Sequence, residues 1–420
     1  MKVSTMRRLD SWIGVPLCWA ATVLVRASRL LPKRAASEES PRRLLAIKLS
    51  ELGALIVLRP AMRVLSGLVA RDDTFFLVFA ESRPLLELLD YIPPRNIIAI
   101  RTDSLGRFLR DLLAALRRCR ALGIDCAVDL EFFSRVTALF ALLSGARRRV
   151  GCHAYFGEGP YRGDLLTHRV KFNPHLHAAQ MLETLAAAAT LPPRDLPRMP
   201  FVPAPAENPR WFYASAPEES SKIETKLAES GVGSRDILIL LNANISDSEL
   251  LPLRKWPDSN YAELARLILA DIPRAFVLLT GGANDVAAVA ALEKKVGLER
   301  CRSWAGETSM RELLTLYNKA SVLVTNDSGP AHFATLTGVD VVVLFGPETP
   351  RIWRPLGDKV HVLYRGLACS PCFTVYNGRQ SACRRNICLD IPPAEVNQIL
   401  KQIIERRLLA RQETETRRPG

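Results

Sequence analysis

Short, almost uniformly apolar runs recur along this chain, separated by longer stretches in which apolar residues fall at helical spacing. Residues 44–47 read Leu-Leu-Ala-Ile, 75–79 Phe-Phe-Leu-Val-Phe, 97–100 Ile-Ile-Ala-Ile and 126–129 Cys-Ala-Val-Asp. A run without polar alternation is what a strand buried on both faces looks like. Helical spacing over 105–122 and 136–143 places helices between these strands. Strand alternating with helix predicts an α/β fold, a doubly wound parallel sheet. A second series of the same kind holds 237–241, 275–279, 321–325, 341–345 and 360–363. Between the two series, residues 191–209 carry seven prolines in 19 positions, which breaks both helix and strand and predicts a linker. The chain therefore divides into 1–41, an N-terminal amphipathic membrane-associating segment and linker; 42–200, a first Rossmann-like domain; 201–395, a second; and 396–420, a C-terminal helix and tail. The last helix, over 392–409, is expected to cross back and brace the first domain.

The N-terminal segment qualifies this picture. Residues 1–10 are basic, 12–25 are apolar with Pro16 inside, and Arg26 and Arg29 follow. The run is short for a membrane-spanning helix of ~20 residues. No small-residue cleavage site follows it directly. Flanking arginines, with Trp12 and Trp19, predict a segment lying at a membrane surface. A helix packed on the first domain is the competing reading.

Composition narrows the partners. Lysine and arginine exceed aspartate and glutamate by 57 − 43 = 14 in 420 residues. Such a balance favours an acidic partner. No nucleic-acid module is present, so nucleic acid is excluded in favour of an anionic membrane surface or a phosphorylated glycolipid. Clusters such as Arg147-Arg148-Arg149 also read simply as solvated surface.

The most informative stretch is Asn326-Asp327-Ser328-Gly329-Pro330-Ala331-His332. It joins the 321–325 strand to a short helix, and the 341–345 strand follows. A polar turn in a βαβ unit lies at the carboxyl edge of a parallel sheet, where such folds bind ligands. Ser328 is expected to cap the helix, Gly329 to let its backbone approach closely, and Pro330 to occupy its first position. Free N–H groups there suit a diphosphate. Arg254 or Lys255, on the loop after the 237–241 strand, supplies a cation. Asn242, Asn244 and Ser246 end that strand and can donate to phosphate. Thr280, Gly281 and Gly282 end the next strand and let a nucleotide lie close. Asp285 is placed to accept from a ribose. A capped helix start and a structural histidine are the bland alternatives for Ser328 and His332.

These residues carry a family resemblance. Asn326 to His332, followed by Leu344-Phe345-Gly346-Pro347-Glu348-Thr349-Pro350 and Trp353-Arg354-Pro355-Leu356-Gly357, resembles glycosyltransferase family 9, the lipopolysaccharide heptosyltransferases and their relatives. Arg254-Lys255-Trp256-Pro257, Leu279-Thr280-Gly281-Gly282 and Trp304-Ala305-Gly306-Glu307-Thr308-Ser309 match in order. The resemblance runs from about residue 44 to 396. It implies the GT-B fold, two Rossmann-like domains facing across a cleft. It also implies an inverting transfer of a sugar, heptose from ADP-heptose first, to lipopolysaccharide core or a related lipid-linked envelope glycan. The basic residue of the family motif falls on Arg254, with Lys255 its neighbour, and the acid of the turn on Asp327. The implied setting is the cytoplasmic side of the inner membrane of a Gram-negative bacterium, with peripheral attachment.

One position departs from the family. In Leu49-Ser50-Glu51-Leu52-Gly53-Ala54-Leu55, the Asp taken as the family's base is replaced by Ala54. Either the chain is a catalytically inactive nucleotide-sugar or glycan-binding protein, or another carboxylate serves. Glu131, after the 126–129 strand, is favoured over Glu51 in the first βα loop. Tyr161, Arg162 and His175, with His177, are expected to read acceptor hydroxyls or phosphates. The four cysteines Cys369, Cys372, Cys383 and Cys388 have spacing compatible with a structural zinc; disulfides or reduced thiols are the alternatives. The resemblance implies no cofactor for catalysis.

Overall fold

The protein's structure, a computed structural model, describes residues 10–28, 40–49, 51–155, 157, 159–193, 195, 197, 212–245 and 252–416. Ser246 and most of the proline-rich 191–209 segment lie outside them. The chain forms two compact units: 1–204 together with Thr374–Arg379, and 205–373 together with 380–420.

Each unit is built on a six-stranded, all-parallel sheet. The first contains β1 (Leu44–Ile47), β2 (Thr74–Phe79), β3 (Ile97–Ile100), β4 (Cys126–Asp129), β5 (Arg148–Cys152) and β6 (His168–Val170). The second contains β7 (Ile237–Asn242), β8 (Ala275–Leu279), β9 (Cys301–Ser303), β10 (Val322–Asn326), β11 (Asp340–Phe345) and β12 (Val360–Tyr364). Their orders are β3-β2-β1-β4-β5-β6 and β12-β11-β10-β7-β8-β9. Both orders reverse direction once, between β1 and β4 and between β7 and β10. At such a switch point two neighbouring loops part and open a crevice outside the carboxyl ends of the strands.

The central strands explain why the apolar runs were legible. Every residue of β1, β4, β10 and β11 is buried. β5 did not announce itself, because it begins Arg148-Arg149. Those arginines are stitched to backbone rather than left to solvent: Arg149 Nε donates to the Leu165 carbonyl at 2.7 Å and Nη1 to Ala146 at 2.6 Å.

The N-terminal helix Gly14–Ser28 packs on the first unit. Cys18 is fully buried with Ala138 and Leu165, beside Leu139 and Leu142. Asp10 Oδ1 accepts the N–H groups of Arg135 (2.9 Å) and Val136 (3.0 Å), capping helix Arg135–Leu143 from outside. Arg26 Nε donates to Asp164 at 2.9 Å at the other end. The helical stretch Asp10–Ser28 has 19 residues and is long and apolar enough to cross a membrane, so the expectation of too short a run is corrected. Its inner face is nonetheless engaged by the unit. Trp12 (82% exposed), Trp19 (64%) and Leu24 (70%) lie on the open side.

The C-terminal helix Pro393–Thr416 belongs to the second unit. Val396, Leu400, Ile403 and Ile404 join the core of the second unit, alongside Trp256 and Tyr261. Arg407 Nη1 pairs with the buried Asp340 at 2.7 Å. The helix thus closes the core of its own unit.

Candidate active site

In the second unit, Asn326 at the end of β10 organises the switch point. Its Oδ1 accepts the Trp256 N–H at 2.9 Å and its Nδ2 donates to the Ala243 carbonyl at 3.1 Å. That ties the loop after β7 to the turn after β10. Arg254 is thereby aimed at Asp327, with Nη2 2.9 Å from Oδ2, and it also donates to the Asp327 carbonyl. Both side chains are largely buried, at 15% and 5% exposure. Lys255 turns to Asp258, the first residue of the helix that follows, at 2.8 Å. Of the two cations, Arg254 is the one held in the crevice.

The neighbouring residues fill supporting positions. Asn242 Nδ2 donates to the Thr280 carbonyl and to Thr280 Oγ1, both at 3.2 Å, stitching β7 to β8. A Cβ on Gly281 would lie 2.8 Å from Asn244 Nδ2 and 2.9 Å from Asp285 Cβ, so only glycine fits. Asp285 accepts the Gly282 N–H at 2.8 Å and orders that turn. Ser328 does not cap its helix as expected. Its hydroxyl donates back to the Asn326 carbonyl at 3.2 Å, and no side-chain cap bond forms. Gly329 and His332 lie on that six-residue helix Gly329–Ala334, with His332 buried.

In the first unit, a charged cluster occupies the switch point between β1 and β4. Lys48, next after β1, is 4% exposed. Its Nζ lies 3.0 Å from Glu131 Oε2 and 3.7 Å from Glu51 Oε2. Glu131 Oε1 also accepts the Leu49 N–H at 2.9 Å. Glu51 is held in the left-handed region at φ 66°, a conformation that a non-glycine residue adopts only when its surroundings impose it. Arg379 pairs with its carboxylate. Among the described residues, two cations and two carboxylates meet here. Glu51 is the more open of the two acids, at 31% side-chain exposure against 11%. Ala54 is buried in helix Leu52–Val57.

Two residues expected to read acceptor are used structurally. Arg162 does not face solvent. Its guanidinium pairs with Asp129 at 1% and 0% side-chain exposure and donates to the Phe132 (3.1 Å) and Cys152 (3.0 Å) carbonyls. Burial pushes the Asp129 carboxyl up to about 6 against the pull of Arg162. His177 caps helix Ala178–Ala188, its Nδ1 accepting the Ala179 N–H at 3.2 Å. Tyr161 remains 44% exposed, and His175 is exposed. Sequence reasoning missed Lys48 and Arg379. Lys48 left a local trace, a lone cation between Ile47 and Leu49. Arg379 left none, because it is more than three hundred residues from its partner.

The four cysteines draw together. The Cys388 thiol is pushed up to about 11 by burial and then by the charges of Cys372, Cys383 and Cys369. Backbone N–H groups of Asn386 and Arg385 lower Cys383. All four are free thiols in this structure. Thiols gathered in this way have the donor chemistry of a zinc site. Their arrangement does not match it, since among the described residues no group of three or more His, Cys, Asp or Glu is disposed to hold a metal.

Comparison with known proteins adds the following. The family model described as glycosyltransferase family 9 (heptosyltransferase) matches residues 165–381, about half of the chain. Lipopolysaccharide heptosyltransferase 2 of Salmonella typhimurium is 34% identical over 119 residues, 28% of this chain and 34% of the relative. The chain thus spans about a third of the length of that curated relative. The structure of E. coli ADP-heptose lps heptosyltransferase II superposes with a TM-score of 0.64 at 23% identity, covering 87% of this chain and 99% of that one. A glycosyl transferase family 9 structure from Veillonella parvula gives 0.65 at 18% identity, covering 87% and 97%. At these identities the likeness is one of fold, two Rossmann-like units of the GT-B class.

Proposed function

Because this chain belongs to glycosyltransferase family 9, we propose that it is an inverting glycosyltransferase acting on lipopolysaccharide core, with ADP-heptose the first donor to test. The observation that carries this reading is the Arg254–Asp327 pair at the switch point of the second sheet, inside the matched segment. A diphosphate leaving group needs a fixed cation where its charge develops, in a site that excludes water. Arg254 has that character, and Asp327 holds its guanidinium in place.

The step itself is a substitution. The acceptor hydroxyl oxygen bonds to the anomeric carbon from the face opposite the diphosphate. The carbon–oxygen bond to the diphosphate breaks, and its electron pair leaves with the nucleotide. The hydroxyl proton passes to a carboxylate of the first unit. Glu51 suits this role better than Glu131, because its side chain is the more open to an incoming hydroxyl, 31% exposed against 11%. Glu131 then acts through Lys48 as a positioning residue. Asn242, Thr280 and Gly281 shape the nucleotide side. Tyr161 and His175 remain the accessible candidates for acceptor contact.

The same reading sets the chain at the cytoplasmic face of the inner membrane. Trp12, Trp19 and Leu24 on the outer side of the N-terminal helix would rest on an anionic bilayer. Ala54 in place of the family's base supports the rival reading, a nucleotide-sugar-binding protein without turnover.

Calorimetry with ADP, UDP, GDP and CMP on wild type, Arg254→Ala and Lys255→Ala tests the donor side. Selective ADP binding, weakened at least about tenfold by Arg254→Ala and little by Lys255→Ala, supports it. No nucleotide binding by a folded sample refutes it. Nucleotide binding without sugar transfer to rough lipopolysaccharide would favour the silent reading.

A further inference from the structure

The two helical layers of the first unit differ in what they show to solvent. Helices Leu105–Ala121 and Arg135–Leu143 follow β3 and β4 and cover one face of the sheet. There Leu116, Cys119, Phe140 and Ala141 share a core with Leu45 and Ile47 of β1. The chain steps from β1 to β3 in one direction along the sheet and then returns past β1 to β4. Right-handed crossovers therefore put helices Leu52–Val57 and Arg59–Leu68 on the opposite face. The N-terminal helix widens the first layer. It packs on Ala138, Leu139 and Leu142 of helix Arg135–Leu143, on the side turned away from Phe140 and Ala141. Among the described residues, every exposed large aliphatic side chain and every exposed tryptophan of the first unit belongs to these three helices. The layer on the opposite face exposes none.

Helix Leu105–Ala121 has its own part in this asymmetry. Phe108, Leu112, Leu116 and Cys119 serve the core, which leaves Leu105, Leu109 and Leu113, one every four residues, half-exposed in a row. Core packing does not account for that row. Arg120 Nε donates to the Leu143 carbonyl at 2.8 Å, and Leu109 and Leu113 stand two to three turns before Arg120 on its side of the helix. The leucines thus border helix Arg135–Leu143, whose own Leu143 is exposed, and beyond it the N-terminal helix shows Trp12 and Trp19. Charge around the row is largely of one sign. The helix carries five arginines against the single acid Asp111, which Arg101 holds at 2.8 Å. Arg110 and Arg117 are exposed. Leucine rimmed by arginine is the make-up of a helix that lies in a lipid headgroup layer. Charge also disfavours a second copy of this chain as the cover, since it would set its arginines against these.

We propose that helix Leu105–Ala121 is a second membrane contact, which seats Leu105, Leu109 and Leu113 in an anionic phospholipid surface with Arg110 and Arg117 on its headgroups. The inference extends the membrane reading of the N-terminal helix and stands on separate residues. One helix on a bilayer leaves the unit free to roll about that helix, whereas two, with Arg135–Leu143 between them, define a plane. Helices Leu105–Ala121 and Arg135–Leu143 both start at the carboxyl edge of the sheet, the edge of Lys48 and Glu51. Seated on this layer, the unit holds that edge at the margin of the bilayer, where a lipid-anchored acceptor presents its hydroxyl.

Co-sedimentation of the full chain with vesicles of phosphatidylglycerol in phosphatidylcholine tests this. Wild type is compared with a leucine variant (Leu105→Ser, Leu109→Ser and Leu113→Ser), an arginine variant (Arg110→Gln and Arg117→Gln) and a tryptophan variant (Trp12→Ser and Trp19→Ser). The leucine variant is expected to lose at least about tenfold in vesicle affinity. Its urea midpoint should stay where it is, because the altered side chains lie outside the core. The arginine variant should lose about fivefold per arginine on phosphatidylglycerol, with binding to phosphatidylcholine alone unchanged, and it decides the matter should the leucine variant fail to fold. Binding lost in the tryptophan variant but intact in the leucine and arginine variants overturns the proposal and leaves the N-terminal contact standing. No vesicle binding by wild type overturns both. A wild-type dimer in sedimentation equilibrium that the leucine variant turns into a monomer gives this face to a second copy and overturns the proposal too.

Discussion

Replacing Arg162 by alanine should unfold the first unit far more readily, and more so at high pH than at low. The guanidinium is the only cation paired with Asp129 among the described residues, and both side chains are essentially without solvent. Its Nη1 also satisfies two buried carbonyls, at 3.1 and 3.0 Å. Removing one partner of a buried pair costs about 3–5 kcal/mol, because the survivor is left charged and dry. Asp129 would keep only neutral donors, the Thr137 hydroxyl at 2.9 Å and the Glu131 amide at 3.1 Å. Its carboxyl, already pushed up to about 6 by burial, would rise further. The sign follows from linkage. A carboxyl whose folded pKa lies above its unfolded value of about 3.9 binds protons more tightly when folded. The stability it contributes is complete below about pH 4 and is lost as pH rises through the folded pKa. The deficit of Arg162→Ala should therefore approach the full 3–5 kcal/mol at pH 8 and shrink toward pH 5. Urea unfolding followed by circular dichroism at the two pH values measures it. The double variant Arg162→Met with Asp129→Asn, which leaves no buried charge, should recover much of the loss. A deficit below about 1 kcal/mol at pH 8, or one that does not shrink toward pH 5, would refute the reasoning.

Three further outcomes are expected. Glu51→Gln should lower kcat about a hundredfold or more with ADP affinity unchanged, and Glu131→Gln should have a smaller effect; the reverse order in a steady-state assay would restore Glu131 as the base. Replacing Trp12 and Trp19 together by serine should reduce co-sedimentation with anionic phospholipid vesicles at least about tenfold without altering nucleotide binding; unchanged sedimentation would remove the helix from the membrane contact. A structural zinc on the four thiols, tested against the unfavourable arrangement seen here, would appear as one metal per purified chain and be lost in Cys372→Ser; metal-free, fully folded protein would dismiss it.

The sheets were legible because their central strands are buried on both faces and contain almost nothing but Val, Ile, Leu, Ala and Phe. β5 and β9 were not: β5 lies inside its sheet but opens on the polar pair Arg148-Arg149, and β9 is a short edge strand, Cys301-Arg302-Ser303, that needs little apolar surface. The donor crevice was legible because its parts sit at the ends of readable strands, as Asp327 does after β10. Sequence proximity could not separate Arg254 from Lys255; the Asn326 bonds to Trp256 and Ala243 do so by fixing the loop's register. Arg162 misled because a charged residue in a loop with Tyr161 and Gly163 looks exposed, and its partner lies 33 positions earlier. Arg379 was beyond reach for the same reason, with no periodicity or spacing to connect it to Glu51.

The docked first helix sets a limit on how this protein is to be shortened. Pro41, just before β1, is the tidy place to begin a soluble enzyme. A chain begun there would lose Asp10 and leave the N–H groups of Arg135 and Val136 uncapped. It would also strip Ala138 and Leu165 of their cover. The apolar helix that invites removal for the sake of solubility is thus part of the fold's own surface, and deleting it would exchange one greasy face for another.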